Sequence, residues 1–281
     1  MILSLDANKR SYRIDFARPF SIAIPLRFDG PQPNAYGVAK ASAEACRAGS
    51  LVGDTRRGGS CNFEQYRLIP HCNGTHTESI GHLTHARISI NDCLRDAFAA
   101  AVLVTVEPEK AAADHGDGYA VELNDKDRLI TRRSLENALK NFESQIAEFV
   151  SSRIPFALVV RTLPNEDDKL TRSYHDEAPP FFSTEAIEFV NRIGVCHLLA
   201  DLPSIDRLFD EGKLANHRLF WGVDQNSFEL SEKSSPEKTV TELIFVKNEI
   251  ADGLYLLNLQ IAPFASDASP SRPVLFPLIA Q

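Results

Sequence analysis

The sequence lacks most features that would assign it at once to a function class. No apolar run approaches the ~18–20 residues that a membrane-spanning helix needs. Basic residues are outnumbered, 30 Lys and Arg against 38 Asp and Glu, a net charge of −8. With no basic run either, the charge argues against phosphate-driven binding of nucleic acid. Cysteine is scarce, with five residues: Cys46, Cys61, Cys72, Cys93 and Cys196. An odd number, wide spacing and no C-x-x-C make a poor disulfide framework, so reduced thiols in a reducing compartment are expected. The opening MILSLDANKR has neither the basic start nor the apolar stretch of a secretory leader, and a cytoplasmic protein is expected. There is no H-E-x-x-H, G-x-S-x-G, G-x-G-x-x-G or P-loop, which leaves zincin, α/β-hydrolase and nucleotide-binding readings without an anchor. Internal repeats, low-complexity tracts and long linkers are absent too.

What is present is ordinary globular material, 43% hydrophobic and 24% charged. At ~150 residues per domain, the length allows one large or two small domains. Residues 11–26 are aromatic and β-branched, and they predict one or two strands interrupted at Pro19. Residues 28–60 mix Pro, Gly and Arg, and predict a long loop of the kind that often carries function. Leu135, Leu139, Phe142, Ile146 and Phe149 follow a 3.6 period, which predicts a helix over 134–151 capped by Ser134. IPFALVVRT (154–162) predicts a buried strand. Ile187, Val190 and Ile193 line a second helix, begun by Ser183 or Thr184 and ended by Gly194. VCHLLAD (195–201) predicts the next strand. Helix, strand, helix, strand implies parallel pairing in the centre. Residues 228–239 predict an exposed polar loop, and TELIFV and GLYLLNLQIAPF predict closing strands. The whole, 1–281, reads as one α/β domain with a mixed sheet, antiparallel near both ends.

The chemistry concentrates in PHCNGTHTESIGHLTH, residues 70–85. This stretch holds four of the eight histidines, His71, His76, His82 and His85, together with Cys72 and Glu78. Imidazole, thiolate and carboxylate are the common ligands of zinc and its neighbours. If 72–78 is extended, alternate residues share a face. Cys72, His76 and Glu78 then point one way, with Gly74 allowing close approach. His71, Asn73, Thr75 and Thr77 point the other way, and Asn73 and Thr75 read as braces for the strand. His82 follows a turn at Ile80 and Gly81, where it faces a metal without binding it. His85 and His197 read as structural, and Trp221 and the run Pro179–Phe182 as packing residues.

The segment C-N-G-T-H-T-E-S-I-G-H (72–82) resembles the H-x-G-T-H-x-D-x-P-x-H signature of the cyclase family, which contains bacterial kynurenine formamidases and isatin hydrolase-like enzymes. Later segments resemble the family in order: FARPFSIAIPL, PFALVVRT, APPFFSTEAIEFVNRIGVCHLLADLPSIDR, ANHRLFWG, VTELIFV and LNLQIAPFASDASPSRPVLFPL. The resemblance implies a swivelling β/β/α fold, α/β in class, with a mixed, partly antiparallel sheet flanked by helices. It also implies a homo-oligomer, dimer or tetramer, and a metal-dependent hydrolase. Carried over by position, the metal ligands are Cys72, His76, Glu78, His217 and Glu242. His82 becomes the proton donor and acceptor. Cys72 stands where the family has His, Glu78 where it has Asp, and Ile80 where it has Pro. The span from His217 to Glu242 also looks longer than the family's spacing. These departures mark a divergent subgroup.

The expected cofactor is a divalent metal, zinc or alternatively manganese, one or two per chain. It would lower the pKa of a bound water toward ~7, and the hydroxide so formed would attack a carbonyl. The expected reaction is hydrolysis of a small amide, lactam or ester, arylformamidase-like, with His82 as general acid/base. The alternatives are a non-catalytic small-molecule-binding descendant and a metal-dependent cyclase or dehydratase. A small-molecule substrate is expected, with neither nucleic acid nor membrane as partner.

Overall fold

A computed structural model describes residues 3–8, 10–113, 116–175 and 178–280. The longest strand, Phe98–Val106, reads FAAAVLVTV, and its side chains alternate between two apolar environments. Ala100, Val102, Val104 and Val106 enter one core; Ala99, Ala101 and Leu103 enter another. The same split runs through Phe156–Thr162, with Leu158 and Val160 on one side and Ala157 and Val159 on the other. A sheet covered on both faces needs such continuous apolar strands.

These strands form the middle of an 11-stranded mixed sheet. Phe98–Val106, Phe156–Thr162, His197–Ala200 and Thr239–Glu242 run parallel. Antiparallel strands extend both sides. Gly253–Asn258 and Val274–Ala280 lead to the N-terminal hairpin of Leu3–Ala7 and Arg10–Ile14. On the other side lie His76–Glu78 and then Ala268–Pro270. The parallel centre and antiparallel margins agree with the sequence reading. So do the helix Thr184–Arg192, capped by the Ser183 hydroxyl on Ala186 N, and the turn at Gly194, where φ is 78°.

Two elements differ from expectation. The helix predicted over 134–151 is two helices, Arg132–Leu139 and Glu143–Ser151, joined by the 3₁₀ turn Lys140–Phe142. Its cap is Thr131, whose hydroxyl accepts from Ser134 N, so Ser134 lies inside the first turn. Leu135, Leu139, Ile146 and Phe149 still share one core across the break, which is why the periodicity reads as continuous. The long loop over 28–60 contains strands. Ser42–Ala45 pairs with Glu64–Arg67, and Arg47–Ala48 with Leu51–Val52. Their mostly exposed side chains leave no alternating pattern to read. Trp221, Phe181 and Phe182 are buried packing residues. Among the described residues, no helix is long and apolar enough to cross a membrane.

Candidate metal centre

The histidine-rich segment is not extended throughout. Ile69 is followed by one helical turn, Pro70–Asn73, with Pro70 in the first position, where its fixed φ suits a helix and its missing N–H costs nothing. Gly74 is extended, with φ 176°, and the strand His76–Glu78 follows. Ser79 then caps the 3₁₀ turn Ile80–His82 through Gly81 N. The turn at 70–73 decides which neighbour meets the strand's side chains. His71 stands 3.3 Å from Glu78 Oε2. Cys72 points into an apolar cluster with Ile24, Ala35, Tyr174 and Leu243. Burial, and then the charge of Glu242, push its thiol up to about 11, so it is protonated at neutral pH.

Sheet register assembles the inner part of the site. His76 pairs with Glu242 across an antiparallel ladder, and Glu78 with Val240. His76 is fully buried. Its Nδ1 lies 3.0 Å from Gly74 O, which fixes the proton on Nδ1 and leaves the Nε2 lone pair free. That Nε2 is buried with no hydrogen-bond partner, 3.5 Å from Glu242 Oε2. Glu242 Oε1 accepts from Ile205 N at 2.8 Å. His217 comes from the helix Ala215–Trp221. Its Nε2 is 2.6 Å from Glu78 Oε1 and 3.4 Å from Glu242 Oε1, and its Nδ1 is 2.6 Å from Asp206 Oδ2. Asp206 also accepts from Asn216 N, His217 N and the Tyr119 hydroxyl.

The bracing residues are visible in the same frame. The Asn73 side chain accepts from Ile69 N and donates to Ala39 O. The Thr75 hydroxyl donates to Leu243 O and accepts from Ile24 N. Leu243 follows Glu242 in the left-handed region, φ 53°, a sharp bend for a branched side chain, and the Thr75 hydroxyl holds it there. His197 is buried against Thr239 Oγ1, and His85 is exposed beside Phe228, both away from the centre.

His82 lines the outer side. Its Nδ1 is 3.2 Å from Asp267 Oδ2 and 4.0 Å from Glu78 Oε2. His71 Nε2 is 3.3 Å from the same Asp267 oxygen. Beyond them opens a cavity of about 680 Å³, also lined by Tyr36, Leu208, Phe209 and Leu214. Asp267 immediately precedes Ala268–Pro270, the strand that pairs with His76–Glu78. The sequence reading missed it, because nothing near residue 267 signals a site and its partners lie more than 180 residues away. His71 was legible: Pro70 before it announces a helical turn, which turns neighbouring side chains by ~100° where a strand would alternate them.

Electrostatics follow from this crowding. Burial works against the charge on Glu78, but His82 and His217 outweigh it and hold the carboxylate well below its ordinary range. Burial likewise opposes a charged His217, and Glu78 and Asp206 overcome it and raise its pKa well above normal. His71 is carried, against burial, to about 10 by Asp267 and Glu78. Asp267 is lowered by His71 first and His82 second.

His76, Glu78 and Glu242 present donor atoms within 4.8 Å of one another, and His71, Glu78 and His82 form a second such group. His217 contacts Glu78 and Glu242. Cys72 belongs to neither group. The inner residues fit a divalent cation. The buried, unpartnered Nε2 of His76 is what a missing ligand bond leaves, and mixed imidazole and carboxylate donors suit zinc or manganese.

Fold and site together define an α/β protein with a buried histidine–carboxylate centre beneath a cavity. The chain belongs to the cyclase family, whose sequence model, described as Cyclase, matches residues 14–207. His217, Glu242 and Asp267 lie beyond the matched span. No curated protein matches the sequence. Among solved structures, isatin hydrolase A from Ralstonia solanacearum is 13% identical, with 92% of this chain and 91% of that one covered and a TM-score of 0.59. Isatin hydrolase A from Labrenzia aggregata, bound to benzyl benzoate, is 15% identical, with 92% and 93% covered and a TM-score of 0.57. A protein described as a predicted metal-dependent hydrolase from Bacillus stearothermophilus is 14% identical, with 92% and 98% covered and a TM-score of 0.56. At these identities the likeness is one of fold.

Proposed function

We propose that the protein is a metal-dependent hydrolase that opens a carbon–nitrogen or ester bond in a small carbonyl compound, arylformamidase- or lactamase-like. The observation that carries this is the buried, unpartnered Nε2 of His76, facing Glu242 in a nest of charged donors. The names of the structural neighbours agree: two are isatin hydrolases and one is described as a metal-dependent hydrolase. In this reading His76, Glu78, His217 and Glu242 hold one divalent cation, zinc by preference. Such a cation polarises a carbonyl and makes water acidic near neutral pH.

The chain's own residues do the rest. Gly74 O fixes the tautomer of His76, and Asp206 holds the ring of His217. Outer-sphere acceptors of this kind keep a ligating imidazole oriented. His82, half-exposed to the cavity, takes a proton from the attacking water and returns it to the leaving nitrogen or oxygen, with Asp267 holding its ring. Leu208, Phe209 and Leu214 give the substrate an apolar wall. Cys72 sits behind the centre as a packed thiol. The protein acts on a small molecule and works as a homo-oligomer.

Elemental analysis of protein purified without chelator or metal-affinity tag tests this directly. At least one zinc or manganese per chain is expected, lost in His76→Ala together with turnover of formyl amides, lactams or esters. Solvent oxygen-18 should enter a product carboxylate. A parent protein that neither carries nor takes up a divalent cation overturns the proposal.

A further inference from the structure

One residue of the cavity lining takes no part in the hydrolytic reading. Tyr36 comes from the segment 28–60, whose composition marks it as function-bearing, and it lines the cavity together with His82, His217 and Glu242. Its backbone stands in the left-handed region at φ 60°, and that of Gly37 follows at φ 67°. A large side chain is rarely held there, and such strain persists only where the surroundings impose it. Here they do. Ala35 is fully buried, and its N donates to Cys72 O at 3.2 Å. The Asn34 side chain donates across the bend to Val38 O at 2.8 Å, while its main chain pairs with Arg172 O and Tyr174 N. The bend at Tyr36 is thereby tied to the helical turn that carries His71.

The ring stands edge-on to Phe209, at 5.9 Å and 89°. Among the described residues its hydroxyl has no hydrogen-bond partner. Other polar groups of the lining are engaged. Asp210 accepts from Gly212 N and Leu214 N, and Glu242 from Ile205 N. The buried Ser204 hydroxyl accepts from Asp206 N. Neither lysine nor arginine is among the described lining residues. Histidines aside, Tyr36 therefore brings an uncommitted donor to a cavity whose charged side chains are carboxylates. Burial, and then the charge of Glu242, raise the pKa of its hydroxyl, so it stays a neutral donor.

Addition of water to a carbonyl gathers negative charge on the carbonyl oxygen. A donor aimed at that oxygen gains strength as the charge develops, and so lowers the barrier. We propose that Tyr36 is a further catalytic residue, whose hydroxyl donates a hydrogen bond to the carbonyl oxygen of the bound substrate. This role rests on the proposed function. His82 serves the other end of the breaking bond. A proton is moved at the leaving atom, and a second is only shared, at the carbonyl oxygen.

Steady-state hydrolysis of 4-nitrophenyl acetate and phenyl acetate by the zinc-loaded full chain tests this. The two esters share a carbonyl and differ in the leaving oxygen. The rate lost in His76→Ala defines the share of the centre. Tyr36→Phe keeps the ring beside Phe209 and removes only the donor. It should lower that share of kcat by ~10²–10³-fold, equally for both esters, with KM within ~3-fold. In His82→Ala the loss should be greater for phenyl acetate, whose leaving oxygen needs the proton more. Elemental analysis and circular dichroism should show the parent's zinc content and fold in Tyr36→Phe. Calorimetric binding of phenyl methylphosphonate, an anionic tetrahedral mimic of the addition state, reads the donor without turnover. Its affinity should fall at least ~10-fold in Tyr36→Phe. Unchanged kcat and unchanged phosphonate affinity in Tyr36→Phe, beside an active parent, overturn the proposal and leave the proposed function standing. A raised KM at unchanged kcat does the same, since it shows substrate binding without a share in the reaction. A loss that grows from the nitrophenyl to the phenyl ester places the hydroxyl at the leaving atom and overturns the assignment. A parent no faster than His76→Ala on either ester and on formanilide overturns the role of Tyr36 and the proposed function together.

Discussion

Glu78 separates two neighbourhoods with the same side-chain chemistry and different access to water. On the inner side His76, His217 and Glu242 are 0%, 2% and 3% exposed. Each is oriented by a group outside the set: Gly74 O, Asp206 and Ile205 N. On the outer side His71 and His82 contact Asp267 and Glu78, and the two histidines line the cavity. An imidazole whose tautomer is locked by a backbone carbonyl is suited to permanent ligation. One whose partners are other titrating groups at a cavity wall is suited to exchange, of protons or of ions. The lesson is that second contacts, more than side-chain type, set the two sides of Glu78 apart.

The contrast can be broken by moving either side toward the other. His82→Ala should leave the inner cation in place and lower turnover by roughly 10²–10⁴-fold, the ordinary worth of a general acid/base. Steady-state rates beside elemental analysis check this, and normal turnover would remove His82 from the mechanism. His197 offers a sharper comparison, because it is a buried histidine without a carboxylate in contact. Burial lowers its pKa to about 4, against a small opposing pull from Asp96. Unfolded, it takes up its proton near 6.5, so between these values the unfolded state binds more protons. The contribution of His197 to stability is therefore full above pH 6.5 and falls as pH drops toward 4. The loss reaches about 3 kcal/mol, at 1.36 kcal/mol per pKa unit. Denaturant titrations across that window should show this contribution as the difference between the parent and His197→Gln, the parent losing more stability as pH falls.

Smaller effects test the supports. Asp206→Asn removes the charge that holds His217 and should weaken the inner cation by ~10–100-fold. Competition with a chromophoric chelator reads this, and unchanged affinity would show that the His217 ring is positioned otherwise. The least effect is expected from Cys72→Ser. A buried thiol outside both donor groups should leave the cation count unchanged. A loss of one equivalent would return the sulfur to the ligand set.

The sheet was legible because its central strands are apolar on both faces and the helix at 184–192 carries its own cap and stop. Continuity of the 135–149 stripe concealed the break at 140–142, since packing against one core preserves the period across it. Within the site, density and spacing drew attention to His76, Glu78 and His82, and family order drew it to His217 and Glu242. The structure gathers these five around one place. The choice between His71 and Cys72 turned on a single helical turn that strand alternation ignores. Asp267 was invisible for another reason. It reaches the centre through a β-pairing that closes near the end of the chain, and such long-range register leaves no local trace.

The turn at Pro70–Asn73 also bears on how such a centre can change over generations. In a strand, exchanging the order of two adjacent residues moves each to the opposite face, and a site loses its ligand outright. In a helical turn the same exchange rotates each residue by only ~100°. A lineage that trades His for Cys at position 72 can therefore keep an imidazole beside Glu78 by holding one at 71, without altering the strand that follows. Which side chain stands beside Glu78 is here a matter of phase, and a one-residue slip in a short prologue is enough to change it.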